Sequence, residues 1–126
     1  MFIIDPMSQQ PVYEQLVDEV ERFVLTGILK SDSPLPSVRS LSVSLSVNPN
    51  TIQKAYSELT SRGVVFSVPG KGCFVSSDAV ELIGKAQRVR LKNLKEIAEE
   101  LCLAGISKEE LFDVISTVYN REEENR

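Results

Sequence analysis

The sequence predicts a mainly α-helical chain that contains one small β-hairpin. Apolar residues recur at the three- and four-residue spacing of a helix face through most of the 126 residues. Two short runs of β-branched and aromatic residues, 64–68 and 73–76, break that spacing and flank a Pro-Gly turn. A proline beside a Ser or Asn cap marks the start of two short helices before this hairpin.

The composition excludes several classes of protein. Hydrophobic residues make up 42% and charged residues 25%, as in a globular domain. The chain has no run long enough to span a membrane and no signal-peptide pattern, so we expect a cytoplasmic protein without a membrane partner. It has no histidine, and Cys73 and Cys102 lack metal-ligand spacing. We therefore expect no enzyme, no catalytic residue, no metal site and no cofactor.

The net charge of −4 is unevenly distributed along the chain. Residues 36–72 hold four basic residues and one acidic residue, whereas the segments before and after them are acidic. Local charge matters more than the total because the Debye length at physiological salt is only about 8 Å. The basic middle segment is compatible with a phosphate-binding face, although a modest excess of this kind is weak evidence alone.

The N-terminal segment predicts one amphipathic helix. Residues 11–29 show the apolar spacing of a core helix, and Gly27 offers a left-handed residue to end it. The apolar residues 2–4 predict a short additional strand.

Two short helices follow, joined by a tight turn. Pro36 and Ser37 start the first of them, and Asn48 caps the second with Pro49 at its first position. Gly63 ends the second helix, just before the hairpin. Three helices and a hairpin in this order predict a winged helix-turn-helix domain over residues 1–77.

The rest of the chain predicts two more helices, at about 79–104 and after a capping box that begins at Ser107. Both carry more apolar surface than one short helical hairpin can hide. We therefore predict that residues 78–126 form a dimerisation region, with homodimer contacts through residues 79–121.

The N-terminal half of the third helix presents residue types that read DNA bases. Asn and Gln pair with adenine, Lys pairs with guanine, and Thr contacts the thymine methyl group. Asn50, Thr51, Gln53 and Lys54 supply these types in two turns. A solvated helix face with a good cap is the alternative interpretation, and these four residues alone do not decide between the two.

Other residues suit contacts with the DNA backbone. Arg39 in the second helix has the reach for a phosphate or a base edge, or forms an exposed salt bridge instead. Lys71 lies between Gly70 and Gly72 at the hairpin tip, where the glycines permit close backbone approach. A simple solubilising turn is the alternative there. The acidic pairs near the C-terminus look like helix-flanking and tail residues rather than metal ligands.

Four ordered motifs resemble the DNA-binding domain of GntR-family bacterial transcription regulators. The resemblance covers about residues 8–76, and the motifs are Pro11-Val12-Tyr13-Glu14-Gln15-Leu16, Leu35-Pro36-Ser37-Val38-Arg39-Ser40-Leu41, Thr51-Ile52-Gln53-Lys54-Ala55-Tyr56-Ser57-Glu58-Leu59 and Gly70-Lys71-Gly72-Cys73-Phe74-Val75. The short two-helix tail is similar to that of the YtrA subfamily. The resemblance implies dimerisation through the tail and repression, in many members, of ABC-transporter operons.

The resemblance also implies which residues contact DNA. The candidate DNA-binding residues are Ser37, Arg39, Asn48, Asn50, Thr51, Gln53, Lys54, Tyr56, Gly70, Lys71 and Gly72. Pro49 and Gln53 stand where many members carry arginine, so the base contacts must differ here. No effector ligand is identified.

The sequence thus predicts a dimeric, bacterial, sequence-specific regulator, most simply a repressor, that binds double-stranded DNA at a pseudo-palindromic operator. The alternative is a winged-helix module that binds proteins and not DNA, which the net charge of −4 would suit. The polar face from Asn50 to Lys54 together with a glycine–lysine hairpin tip favours DNA.

Overall fold

The structure, a computed structural model, describes residues 2–124. Five helices and two strands follow one another in this part of the chain, and the predicted fold class is confirmed. They are α1 (Val12–Leu25), α2 (Val38–Leu45), α3 (Pro49–Ser61), β1 (Val65–Val68), β2 (Gly72–Val75), α4 (Ala79–Leu103) and α5 (Lys108–Glu124). The last two residues of the predicted 78–126 region lie outside the described residues.

The chain divides into two compact units, residues 1–86 and 87–126. The first unit extends past the hairpin because Ala79 and Ile83, in the first two turns of α4, are buried with its core. No helix in the described part of the chain is both long and apolar enough to cross a membrane.

The core of the first unit lies between α1, α3 and the hairpin. Leu16 and Val20 of α1 meet the buried face of α3, and Val65 and Val75 of the hairpin close one side. Full burial of side chains of this size stabilises a fold by roughly 1.5–3 kcal/mol each. This core holds α3 in place and leaves its opposite face in solvent.

The hairpin, or wing, is antiparallel, with Val65 opposite Val75 and Val68 opposite Gly72. A third segment runs beside β2 and is held by the backbone. Asp32 N–H donates to the Val75 carbonyl at 2.8 Å, and Leu35 N–H donates to the Cys73 carbonyl at 2.9 Å. The segment before α2 is therefore tied to the wing.

The predicted strand at residues 2–4 is wrong. The ring of Phe2 packs against Phe23 of α1 with 5.1 Å between centroids. The backbone of Asp5 is bonded by the Gln15 side-chain amide, which accepts from Asp5 N–H at 2.8 Å and donates to its carbonyl at 2.9 Å. Side chains of α1 thus hold this segment in place, and within the described residues it pairs with no strand.

The second unit has no buried side chain in the part that the structure describes, residues 87–123. Ala98, Leu101 and Leu111 are half-buried, and all three lie close to the turn between α4 and α5. Ser107 starts α5 as predicted, since its Oγ accepts from Glu110 N–H at 3.2 Å.

Candidate nucleic-acid interface

The first turn of α3 is fixed by its cap. Asn48 Oδ1 accepts a hydrogen bond from Asn50 N–H at 2.8 Å, and Pro49 occupies the first helical position. Both features agree with the sequence prediction. Because this turn is exposed, the positive end of the α3 helix dipole can attract a phosphate.

The helix α3 has one buried face and one exposed polar face. Ile52, Ala55, Tyr56 and Leu59 are buried. Asn50, Gln53 and Lys54 are exposed on the other side, and Thr51 is half-buried between the two faces. Four of the predicted contact residues are therefore brought together on one element, and three of them are exposed.

Tyr56 requires a correction, because it was predicted to contact DNA. The structure leaves only 2% of it exposed, and its hydroxyl donates to the Pro36 carbonyl at 2.6 Å. Burial raises the pKa of Tyr56, so this donor stays protonated throughout the physiological range. The residue holds α3 against the start of α2 and does not form part of the contact surface.

The helix-turn-helix junction is made by serine side chains. Ser37 Oγ accepts from Ser40 N–H at 3.0 Å and caps α2, while Arg39 is exposed in the first turn of that helix. At the other end, Ser46 is left-handed with φ of 55°, and Ser42 Oγ donates to the Val47 carbonyl at 2.6 Å. The Ser37 bond fixes the start of α2, and the Ser42 bond fixes the turn that leads from α2 into α3.

The wing tip exposes Lys71 between two glycines with positive φ, 78° at Gly70 and 111° at Gly72. An L side chain rarely adopts such backbone angles, so glycine is required for the turn. Arg39 and Lys71 lie on separate elements, and no side-chain hydrogen bond within the described residues joins either of them to α3.

The cations of the middle segment do not all remain free. Arg62 donates to Glu21 at 2.8 Å and to Glu58 at 3.0 Å. Glu21 is buried, and burial raises its pKa while the Arg62 guanidinium opposes that rise. This cluster ties α1 to the C-terminal end of α3, so Arg62 supports the fold and is not a candidate for DNA.

One contact of Lys54 was missed by the sequence reasoning. Its Nζ lies 4.0 Å from the centroid of the Tyr13 ring in α1, which is a cation–π distance. The Tyr13 hydroxyl donates to Glu14 at 3.2 Å, and this hydrogen bond raises the pKa of Tyr13. No local pattern signals the pair, because the two residues are far apart in the chain.

The described residues bring together no group of three or more Cys, Asp or Glu side chains that could hold a metal ion. The exposed face of α3 offers hydrogen bonding by the amides of Asn50 and Gln53 and the ammonium of Lys54. Such a face suits recognition of base edges and phosphates.

Comparison with known proteins gives concordant results. The family model described as bacterial regulatory proteins, gntR family, matches residues 12–75. The HTH-type transcriptional repressor YtrA of Bacillus subtilis is 34% identical over 119 residues, which span 94% of this chain and 92% of that protein.

Two solved structures are similar in fold as well as in sequence. A transcriptional antiterminator from Listeria monocytogenes EGD-e gives a TM-score of 0.77 at 35% identity, covering 94% of this chain and 90% of that one. AraR(DBD), in complex with operator ORX1, gives a TM-score of 0.53 at 32% identity, covering 59% of this chain and 92% of that one.

Proposed function

Because the chain belongs to the GntR family of bacterial regulatory proteins, and is thus a DNA-binding transcriptional regulator and not an enzyme, we propose that it is a dimeric repressor with a two-fold symmetric operator. The observation that carries this proposal is the exposed polar face at the capped N-terminal end of α3. The family membership favours DNA binding over a winged-helix module that binds only proteins, the alternative that the net charge of −4 would suit.

Base recognition belongs to α3 in this proposal. A recognition helix enters the major groove with its N-terminal residues toward the bases. Asn50 and Gln53 have the amides that pair with adenine, and Lys54 has the ammonium for guanine O6 and N7. Thr51 is half-buried, so only part of its side chain is available for a thymine methyl group.

In this proposal, the residues around α3 contact the DNA backbone or hold the contacting helices in place. Arg39 and Lys71 are exposed cations without an ion pair among the described residues, so no carboxylate must be displaced before they meet a phosphate. Ser37 and Asn48 act through their caps, which hold α2 and α3 in the geometry that contact requires. Gly70 and Gly72 permit the wing backbone to approach the duplex closely.

The second unit supplies the dimer in this proposal. Ala79 and Ile83 are buried in the first unit, so the part of the predicted 79–121 region left for pairing is 87–121. Large apolar side chains stay exposed on both helices there, among them Leu94 at 46% and Val118 at 56%. A dimer would place two recognition helices in successive major grooves, about 34 Å apart.

The finer regulatory role is carried over from the relatives. YtrA of Bacillus subtilis bears the name of a repressor, and the resemblance to its subfamily supports repression of an ABC-transporter operon in the bacterial cytoplasm. Expression of the genes next to this one should rise when the gene is deleted.

Selection of bound sequences from a random duplex pool at about 150 mM salt tests the DNA proposal. We expect an enriched inverted repeat. With that duplex, Asn50→Ala and Gln53→Ala should each lose roughly 1–3 kcal/mol of discrimination at one base position in each half-site. Arg39→Gln and Lys71→Gln should instead weaken binding to all sequences and lower the salt slope by about 0.9 per lost phosphate contact.

Arg88→Gln is the matched control, since it removes an exposed cation that lies outside the predicted contact residues. It should leave both affinity and salt slope unchanged. A well-folded protein that enriches no sequence, or whose affinity does not vary with salt, would contradict the proposed mechanism.

A further inference from the structure

The apolar stripes of α4 and α5 each end, on the side away from the connecting turn, at one charged residue. On α4, residues spaced four, three and four apart share one face: Arg90, Leu94, Ile97 and Leu101. On α5, the same spacing places another four on one face: Leu111, Ile115, Val118 and Glu122. Each stripe is thus apolar near the turn and charged at its far end.

The two charges lie at matched distances from the turn. Leu101 and Leu111 are the half-buried pair nearest to it. Arg90 precedes Leu101 by eleven residues and Glu122 follows Leu111 by eleven, which is about 16 Å along each helix. An antiparallel pairing of an α4 stripe with an α5 stripe therefore gives three apolar layers and a fourth that pairs a guanidinium with a carboxylate.

The chain does not make this pairing with its own helices. Leu94 is 46% exposed, Ile97 52% and Val118 56%, so α5 does not cover the α4 stripe of the same chain. The Arg90 guanidinium donates to the neutral Gln87 side chain at 2.9 Å. Within the described residues it forms no ion pair with Glu122.

The charges make a second copy of this chain the fitting occupant of the stripe. An apolar partner would bury the Arg90 guanidinium unpaired, which is strongly unfavourable. The α5 helix of a second copy brings apolar residues to Leu94 and Ile97 and brings a carboxylate to Arg90. A pairing of α4 with α5 that is shifted by one helical turn is disfavoured, because it would place Arg90 and Glu122 opposite apolar residues.

We propose that Arg90 of one protomer forms an ion pair with the partner's Glu122, and that this pair sets the register in which α4 of one chain packs on α5 of the other. The inference rests on the dimer of the proposed function. By two-fold symmetry the pair occurs twice in each dimer.

Charge reversal tests the pair by sedimentation of the full chain. Arg90→Glu and Glu122→Arg should each raise the dimer dissociation constant at least about tenfold, because like charges then face each other twice. Arg88→Glu is the matched control, since residue 88 lies about 160° around the helix from residue 90, and it should leave dimerisation unchanged.

Mixing the two single variants separates a partner contact from a contact within one chain. In a heterodimer of Arg90→Glu with Glu122→Arg, residue 90 of each chain faces an opposite charge at residue 122 of the other chain. Within each chain, residues 90 and 122 carry like charges. We expect native mass spectrometry of an equimolar mixture to show mainly heterodimer, with wild-type affinity.

Three outcomes would overturn the inference. Unchanged dissociation constants for both single variants would show that no such pair forms. Rescue by the double variant, Arg90→Glu with Glu122→Arg, but not by the mixture would place the pair within one chain. A wild-type monomer at micromolar concentration would remove the dimer itself, while leaving the DNA contacts of α3 untouched.

Discussion

Residues 2–86 and residues 87–123 are both amphipathic, yet only the first region buries its apolar face. Every buried apolar side chain in the described part of the chain lies at or before Ile83. Beyond it, side chains such as Val89 and Tyr119 stay 72% and 68% exposed. The first region folds around its own core, whereas the second leaves its apolar stripes exposed.

The difference separates two tasks in one short chain. A recognition helix must be held rigidly, because base contacts depend on a fixed geometry, and the core under α3 provides that rigidity. A pairing region must instead keep an apolar surface free until its partner arrives. Amphipathicity alone reveals that a face will be covered, but it does not reveal by what.

The largest expected effect comes from truncating a buried leucine of the first region. Leu59 is fully buried, so Leu59→Ala should lower the free energy of unfolding by about 2–5 kcal/mol. Leu94→Ala removes the same atoms from a half-exposed site in the second region. In the dissociated chain, Leu94→Ala should lower the free energy of unfolding by less than about 1 kcal/mol. In the dimer, the same substitution should weaken dimerisation.

Urea unfolding followed by circular dichroism, at concentrations below and above the dimer dissociation constant, measures both effects. Leu103→Ala, at a position that is 89% exposed, is the neutral control. Equal destabilisation by Leu59→Ala and Leu94→Ala in the monomer would contradict the conclusion that only the first region buries its apolar face.

A smaller effect is expected at the ion cluster between α1 and α3. Arg62→Ala leaves the buried Glu21 carboxylate without its partner and should lower the free energy of unfolding by about 2 kcal/mol at neutral pH. The loss is smaller than for a fully buried pair because Arg62 is partly exposed. Glu21→Gln should cost less, because the amide still accepts a hydrogen bond from Arg62.

The cluster also predicts a pH dependence. The pKa of Glu21 is raised by burial above the ordinary value of 4.5, so the folded state binds the proton more tightly than the unfolded state. Stability therefore falls as the pH rises above 4.5, and the loss is largest once the carboxylate is fully ionised. Without Arg62 the pKa should rise further.

Thermal unfolding between pH 4.5 and pH 8 tests this dependence. The melting temperature of Arg62→Ala should fall further below that of the wild type as the pH increases. Between Glu21→Gln and the Arg62→Ala, Glu21→Gln double variant, the difference in melting temperature should not vary with pH. A gap between Arg62→Ala and the wild type that does not vary with pH would contradict the assignment of the cost to Glu21.

The smallest effect is expected at the contact between Lys54 and Tyr13. Tyr13→Leu removes the aromatic face over which the Lys54 ammonium lies and should weaken operator binding by about 0.5–1 kcal/mol. Tyr13→Phe keeps the ring and should retain most of the affinity. Fluorescence anisotropy with the selected operator measures these changes.

The Lys54→Met variant tests whether Tyr13 affects operator binding by positioning Lys54 or by stabilising the fold. In this variant background, Tyr13→Leu should have no further effect on operator affinity. Additive losses from the two substitutions would show that Tyr13 acts on the interface by another route than Lys54.

The sequence by itself determined the five helices and the hairpin, although the strand that it predicted at residues 2–4 is wrong. Ser37, Asn48 and Gly63 act on backbone groups within a few residues of themselves, so the start of α2 and both ends of α3 follow from local rules. The exposed face of α3 followed for the same reason, because helical spacing assigns each residue to one side. The family motifs added the functional class to this local picture.

The tertiary structure decided which side chains remain available for function. Arg62 is committed to Glu21, 41 residues earlier in the chain, and Tyr56 is committed to the Pro36 carbonyl, 20 residues earlier. Lys54 meets Tyr13 by the same kind of non-local contact. No local pattern encodes such pairs, because they exist only once packing brings distant segments together.

The helix α4 shows the same division within a single element. Apolar residues recur along most of it, and the sequence therefore predicts one amphipathic helix at about 79–104. Only packing decides that Ile83 is buried in the first region while Leu94 and Ile97 are left exposed, because burial depends on which surfaces lie opposite and not on the spacing itself.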